Sequence, residues 1–149
     1  MKRVEQAVQM FVDGYPCAPS ILASFGPDYG LDRELALRVA GPLGGGISHT
    51  DGPCGAALGA VLVLGLAFGP TDPDDQDGKD RLRAITREFL RRYEERKGSI
   101  TCTDILGHNL SLPGVAERVK VEGLSKEPCP EAVRAAGEIL LELLQGEAK

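Results

Sequence analysis

Four cysteines, Cys17, Cys54, Cys102 and Cys129, are the only ones in the chain. Each stands where the sequence reads as the opening turn of a helix. A helix amino terminus carries partial positive charge and free N–H donors, which push a thiol toward thiolate, the form that binds metals and exchanges electrons. The flanking residues set these starts. Pro16 precedes Cys17 and Pro53 precedes Cys54. Thr101 and Asp104 have the spacing of a capping box, which puts Cys102 at the first helical position. Pro130 suits a first helical position and makes Cys129 an N-cap.

No two cysteines are close in sequence, so no short ligand motif such as C-x-x-C is present. The sulfurs meet only if four helix starts converge at one end of a bundle, where cofactor sites are commonly built from facing helices. Four thiolates together repel and need positive charge. An iron–sulfur cluster of unspecified nuclearity supplies it, takes four cysteine ligands and is tuned by N–H donors aimed at its sulfurs. Zinc accepts four thiolates too, usually from close pairs in sequence. A thiol–disulfide protein needs one cysteine pair within bonding reach. Scattered, buried thiols without a cofactor would mark a structural or interaction module. His49 and His108 lie in loops near cysteine-bearing helices, and imidazole can replace a thiolate on iron. Neither has ligand spacing to another His or acid, so a local hydrogen bond is expected for each.

The elements that must position these residues read as helices. Trp is absent, aromatic residues are 5 %, and no stretch alternates apolar and polar residues for long, which leaves little strand signal. Val4, Val8, Phe11 and Val12 share one face of a first helix. A second runs from Cys17 to Phe25, and a third from Asp32 to Ala40 with Leu35 and Val39 inward. The glycine loop from Gly41 to Gly52, containing Gly44, Gly45 and Gly46, lets the backbone pass beside Cys54. A helix from about Pro53 to Phe68 is apolar on nearly every side, as buried helices are, with a small-residue strip at Gly55 and Gly59. An acidic loop, Thr71 to Gly78, precedes a helix from Asp80 to Lys97 with Leu82, Ile85, Phe89 and Tyr93 inward. Short helices after Thr101 and over Ser111 to Val121 lead to a final amphipathic helix. The expectation is an all-α fold, a small bundle of six to seven helices forming a single domain over 1–149.

Composition narrows the function classes. Hydrophobic residues at 42 % and charged residues at 26 % are ordinary globular values. A net charge of -5, with basic residues interrupted by Glu88, Glu94 and Glu95, argues against nucleic acid as a partner. The apolar run from Ala56 to Phe68 would reach only roughly 20 Å as a helix, against about 30 Å of hydrocarbon, so no membrane span is expected. Met1-Lys2-Arg3 is followed by Val4-Glu5-Gln6, without a signal-peptide core. A cytoplasmic location follows as an expectation, and there cysteines serve as metal ligands or working thiols more often than as disulfides. No general base or activated hydroxyl stands out. The reading is therefore an electron-transfer or redox accessory protein with an unidentified redox partner, and homodimer formation stays open.

Tyr15-Pro16-Cys17-Ala18-Pro19-Ser20, the Gly44-Gly45-Gly46 loop, Cys54-Gly55-Ala56-Ala57-Leu58-Gly59, Cys102 ahead of Leu106-Gly107, and Cys129 before the last helix form a pattern over nearly the whole chain. It resembles the redox-active proteins named for a C-GCAxxG-C-C motif. The resemblance implies that the four cysteines belong to one site, with Gly55, Ala56 and Gly59 as small residues beside it; Gly46, in the glycine loop, is expected to line it as well. Similar domains attached to electron-transfer modules favour a cluster over a simple dithiol. The resemblance implies no role for His49 or His108.

Overall fold

A computed structural model describes residues 1–147. In chain order the elements are α1 (Lys2–Val12), α2 (Cys17–Phe25), a 3-10 turn (Gly26–Tyr29), α3 (Arg33–Ala40), a second 3-10 turn (Gly41–Leu43), α4 (Gly44–His49), α5 (Gly55–Phe68), α6 (Gln76–Lys97), α7 (Cys102–Leu106), α8 (Val115–Glu122) and α9 (Pro128–Glu147). α4 winds left-handed; the other eight are right-handed α-helices. Among the described residues there is no strand, only one antiparallel bridge between Pro53 and Thr101. The all-α expectation holds, and the helix number exceeds the expected six to seven. Both marginal segments form: α7 is capped by Thr101 and stopped by left-handed Gly107, and α8 lies between left-handed Gly114 and Gly123. No helix among the described residues is long and apolar enough to cross a membrane.

The core is built around α5, which packs on α2, α6 and α9. Ala56, Ala57, Ala60, Val63 and Leu64 are buried on α5, as its all-round apolarity requires. α2 comes close because position 59 is glycine: a Cβ there would stand 2.8 Å from the Ala18 carbonyl oxygen. α9 turns Val133, Ala136, Ile139, Leu140 and Leu143 inward against α1, α5 and α6. α6 contributes Ile85, Phe89 and Tyr93, the last two with rings stacked at 5.8 Å. Each large apolar side chain buried in this way contributes roughly 1.5–3 kcal/mol before the entropy of ordering it is subtracted.

Several local expectations are corrected. Leu35 and Val39 are exposed, at 49 % and 57 %, while Ala36 and Ala40 face inward. α3 packs on α2, and its fully buried positions hold alanine. Val12 is likewise exposed; α1 buries Val4, Ala7 and Met10 instead. α6 begins at Gln76, a turn earlier than Asp80, because the Asp75 carboxylate accepts the Gly78 N–H at 2.9 Å and caps it. α8 begins at Val115 instead of Ser111. The capping box at α7 is only half formed. Thr101 Oγ1 accepts the Asp104 N–H, but the Asp104 carboxylate takes the Ser99 hydroxyl, and Ser99 Oγ accepts the Thr101 N–H.

Candidate thiol site

The four cysteines come from four elements. Cys17 is the first residue of α2, Cys54 the N-cap of α5 and Cys102 the first residue of α7. Cys129 is the second residue of α9 instead of its N-cap. The turn before it is already helical enough for its N–H to donate to the Ser125 carbonyl at 3.2 Å. All four are free thiols lining one cavity of about 380 Å³, with Cys54 buried and the others half-buried. Two of them are pinned by backbone. At the Pro53–Thr101 bridge the Cys54 N–H donates to the Ile100 carbonyl at 2.6 Å and the Cys102 N–H to the Gly52 carbonyl at 3.0 Å.

The glycine loop is helical and of the wrong hand. Gly45, Gly46, Ile47, Ser48 and His49 have φ of 64°, 69°, 58°, 54° and 65° in succession. For L-residues this conformation costs roughly 1–2 kcal/mol each, so glycine at the first two positions relieves it and Ile47 bears it. The surroundings enforce the winding. The Thr50 and Gly52 N–H groups both donate to the Gly46 carbonyl, the Ser48 hydroxyl to the Pro42 carbonyl, and the Thr103 hydroxyl to the Asp51 carboxylate. The result is a backbone pressed against two cysteines. The Gly45 N–H points at the Cys17 sulfur, and a Cβ at Gly46 would stand 2.9 Å from Cys102 Cβ. The segment thus serves Cys17 and Cys102, and it also passes beside the start of α5 as expected: a Cβ at Gly55, next to Cys54, would stand 3.0 Å from Gly44 Cα. Gly55, next to Cys54, completes the cradle, because a Cβ there would overlap the Cys17 sulfur.

Burial reverses the expected acidity of the thiols. Cys102 and Cys129 are each pushed up to about 12, first by desolvation and then by the neighbouring sulfurs. Burial also pushes Cys17 up, as does Cys54, against the opposing N–H groups of Gly45, Ala18 and Cys17 itself. The helix starts do aim donors at sulfur, but withdrawing a charge from water outweighs them. These three are therefore held as thiols in the absence of added positive charge. Among the described residues, no group of three or more His, Cys, Asp and Glu side chains is placed to hold a single metal ion.

The remaining expected site residues separate. His49 is exposed at the cavity rim, its ring over Gly45. His108 is turned to Arg118, whose guanidinium donates to Nδ1 at 3.2 Å, the local bond expected of it. Of Gly55, Ala56 and Gly59 only Gly55 lines the cavity; Ala56 is buried in the helix contact and Gly59 packs on Ala18 and Ile21. One residue was read merely as core. Tyr93 is fully buried and its hydroxyl donates to Cys54 Sγ at 3.2 Å. The signal was a phenol on an otherwise apolar helix face, since a buried tyrosine hydroxyl needs a partner.

No curated protein and no solved structure matches the chain significantly. Residues 15–143, which contain all four cysteines of the cavity, match the family described as "Putative redox-active protein (C_GCAxxG_C_C)", and the chain belongs to that family.

Proposed function

We propose that Cys17, Cys54, Cys102 and Cys129 hold an iron–sulfur cluster used for one-electron transfer or redox sensing with a partner protein. The observation that carries this reading is that four cysteines, remote in sequence, line one cavity. The donor set fits such a group. Cluster irons take cysteine thiolates and supply the positive charge that four neighbouring sulfurs lack, and the group provides one-electron chemistry when bound. The chain supplies the rest: the Gly45 and Ala18 N–H groups toward Cys17, the Tyr93 hydroxyl toward Cys54, and the glycine at position 55 that leaves Cys17 its space.

Two rivals are less well supported. Structural zinc usually takes its thiolates from close pairs in sequence, and no such pair is present here. Thiol–disulfide exchange proceeds through a thiolate, and burial disfavours that form at Cys102 and Cys129, which counts against those two as the exchanging pair.

Anaerobic purification followed by iron, zinc and sulfide analysis, with optical spectra before and after dithionite, tests the reading. Iron and sulfide in stoichiometric amounts with a bleachable visible band are expected. Colourless, iron-free protein under those conditions overturns it.

A further inference from the structure

The thiol cavity opens toward the surface through residues it shares with a second, adjoining cavity of about 580 Å³. Phe11, Pro16, Lys120, Ser125 and Lys126 line both. The chain as a whole is acidic, at net charge -5, yet neither lining contains an aspartate or glutamate. Lys120 and Lys126 are exposed, and neither ammonium group has a hydrogen bond or ion pair among the described residues. Some other surface cations are neutralised, Arg3 by Asp28, Arg96 by Glu138, Arg118 by Glu122 and Arg134 by Glu5, while Lys2, Arg38 and Arg87 are exposed without such a partner among the described residues. Most of the rest of the outer groove's lining is apolar, including Phe11, Val12, Tyr15 and Pro130. Lys120 stands on α8, whose one buried side chain is Val119.

We propose that this outer groove binds an amphipathic organic anion. Its carboxylate meets Lys120 and Lys126, and its apolar body lies on Phe11, Val12, Tyr15 and Pro130. The volume lies within the roughly 300–1,000 Å³ usual for small-molecule sites, and an apolar wall with a few charged groups at one end is their usual make-up. A cationic ligand would meet two like charges, and a neutral one would leave both lysines unmatched. That the anion would sit beside a redox centre rests on the reading given above; the anion site itself does not.

The test is calorimetric titration of the anaerobically purified protein with phenylacetate, phenylethanol and phenylethylammonium, which keep one aromatic body and change the head group. Phenylacetate is expected to bind one site, the alcohol roughly tenfold or more weakly, and the ammonium weakest. A Lys120→Gln/Lys126→Gln variant should lower phenylacetate to the affinity of the alcohol. Absence of saturable phenylacetate binding, equal affinity for the three heads, or an unaffected double variant overturns the proposal. Iron and sulfide analysis of the same sample separates the two claims. Anion binding without iron removes only the cluster reading, and iron without anion binding removes only the groove.

Discussion

The Tyr93 hydroxyl donates to Cys54 Sγ across 3.2 Å, and both residues are buried. A protonated thiol is a weak acceptor, and a thiolate a far better one. The bond therefore matters most when Cys54 carries negative charge, and removing it should tell on the charged state. In a cluster-bearing protein, Tyr93→Phe should lower the reduction potential by something on the order of tens of millivolts, because a donor to a ligand sulfur favours the more negative, reduced state. Anaerobic redox titration of both proteins measures this. An unchanged potential at full iron content would show that Cys54 bears no ligand charge.

Two glycines of α5 should respond in opposite directions. Alanine is the better helix former by about 1 kcal/mol. At Gly65 an added methyl meets open space, so Gly65→Ala should raise stability by up to that amount. At Gly55 the same methyl overlaps the Cys17 sulfur, and overpacking of this kind costs about 1–3 kcal/mol. Gly55→Ala should therefore lower the denaturation midpoint and the iron content together. Urea unfolding with metal analysis of both variants checks the pair.

Alkali should destabilise the metal-free protein through its thiols. Cys102 and Cys129 are held near 12 against an ordinary 9.0, burial being the larger cause. Over that interval the unfolded chain gives up protons that the folded chain keeps, so rising pH favours the unfolded state. The stabilisation is full below pH 9.0 and is lost as pH climbs through about 12. A Cys102→Ser/Cys129→Ser variant should show a flatter decline. Thermal midpoints of the two proteins across mildly alkaline pH would show parallel slopes if this account were wrong.

The left-handed segment gives a strain prediction. Ile47 has φ 58° and is partly exposed, so Ile47→Gly removes a conformational penalty of roughly 1–2 kcal/mol, less the added freedom of the unfolded chain. A net gain of up to about 1 kcal/mol is expected. Gly46→Ala should do the reverse, placing a methyl 2.9 Å from Cys102 Cβ in a backbone of φ 69°. Equilibrium unfolding distinguishes the two directions.

The helices were legible because their signals are local: apolar spacing, prolines at the starts, glycines at the stops. The convergence of the cysteines was legible as an inference from their helix-start positions. The loop was not, because three glycines announce conformational freedom without saying which hand the chain will take. Leu35 and Val39 misled because pattern reading weights bulk, whereas the fully buried positions of α3, which packs on α2, are Ala36 and Ala40. Thiol acidity misled for a similar reason. A helix start is visible in sequence, but the burial that outweighs it at Cys102 and Cys129 depends on α5, α7 and α9 closing together.

The clasp at Pro53 and Thr101 separates distance along the chain from distance in space. Two backbone hydrogen bonds set Cys54 against Cys102, so nothing in the intervening hairpin of α5 and α6 has to measure the gap. Residues between Gly69 and Asp75 form the exposed connection of that hairpin. Extra residues spliced there would lengthen a loop whose closure cost grows only slowly with length, while the two sulfurs stayed in register. The third cysteine is thus free to drift in sequence numbering relative to the second, and a spacing rule written for these positions should be elastic within the clasp.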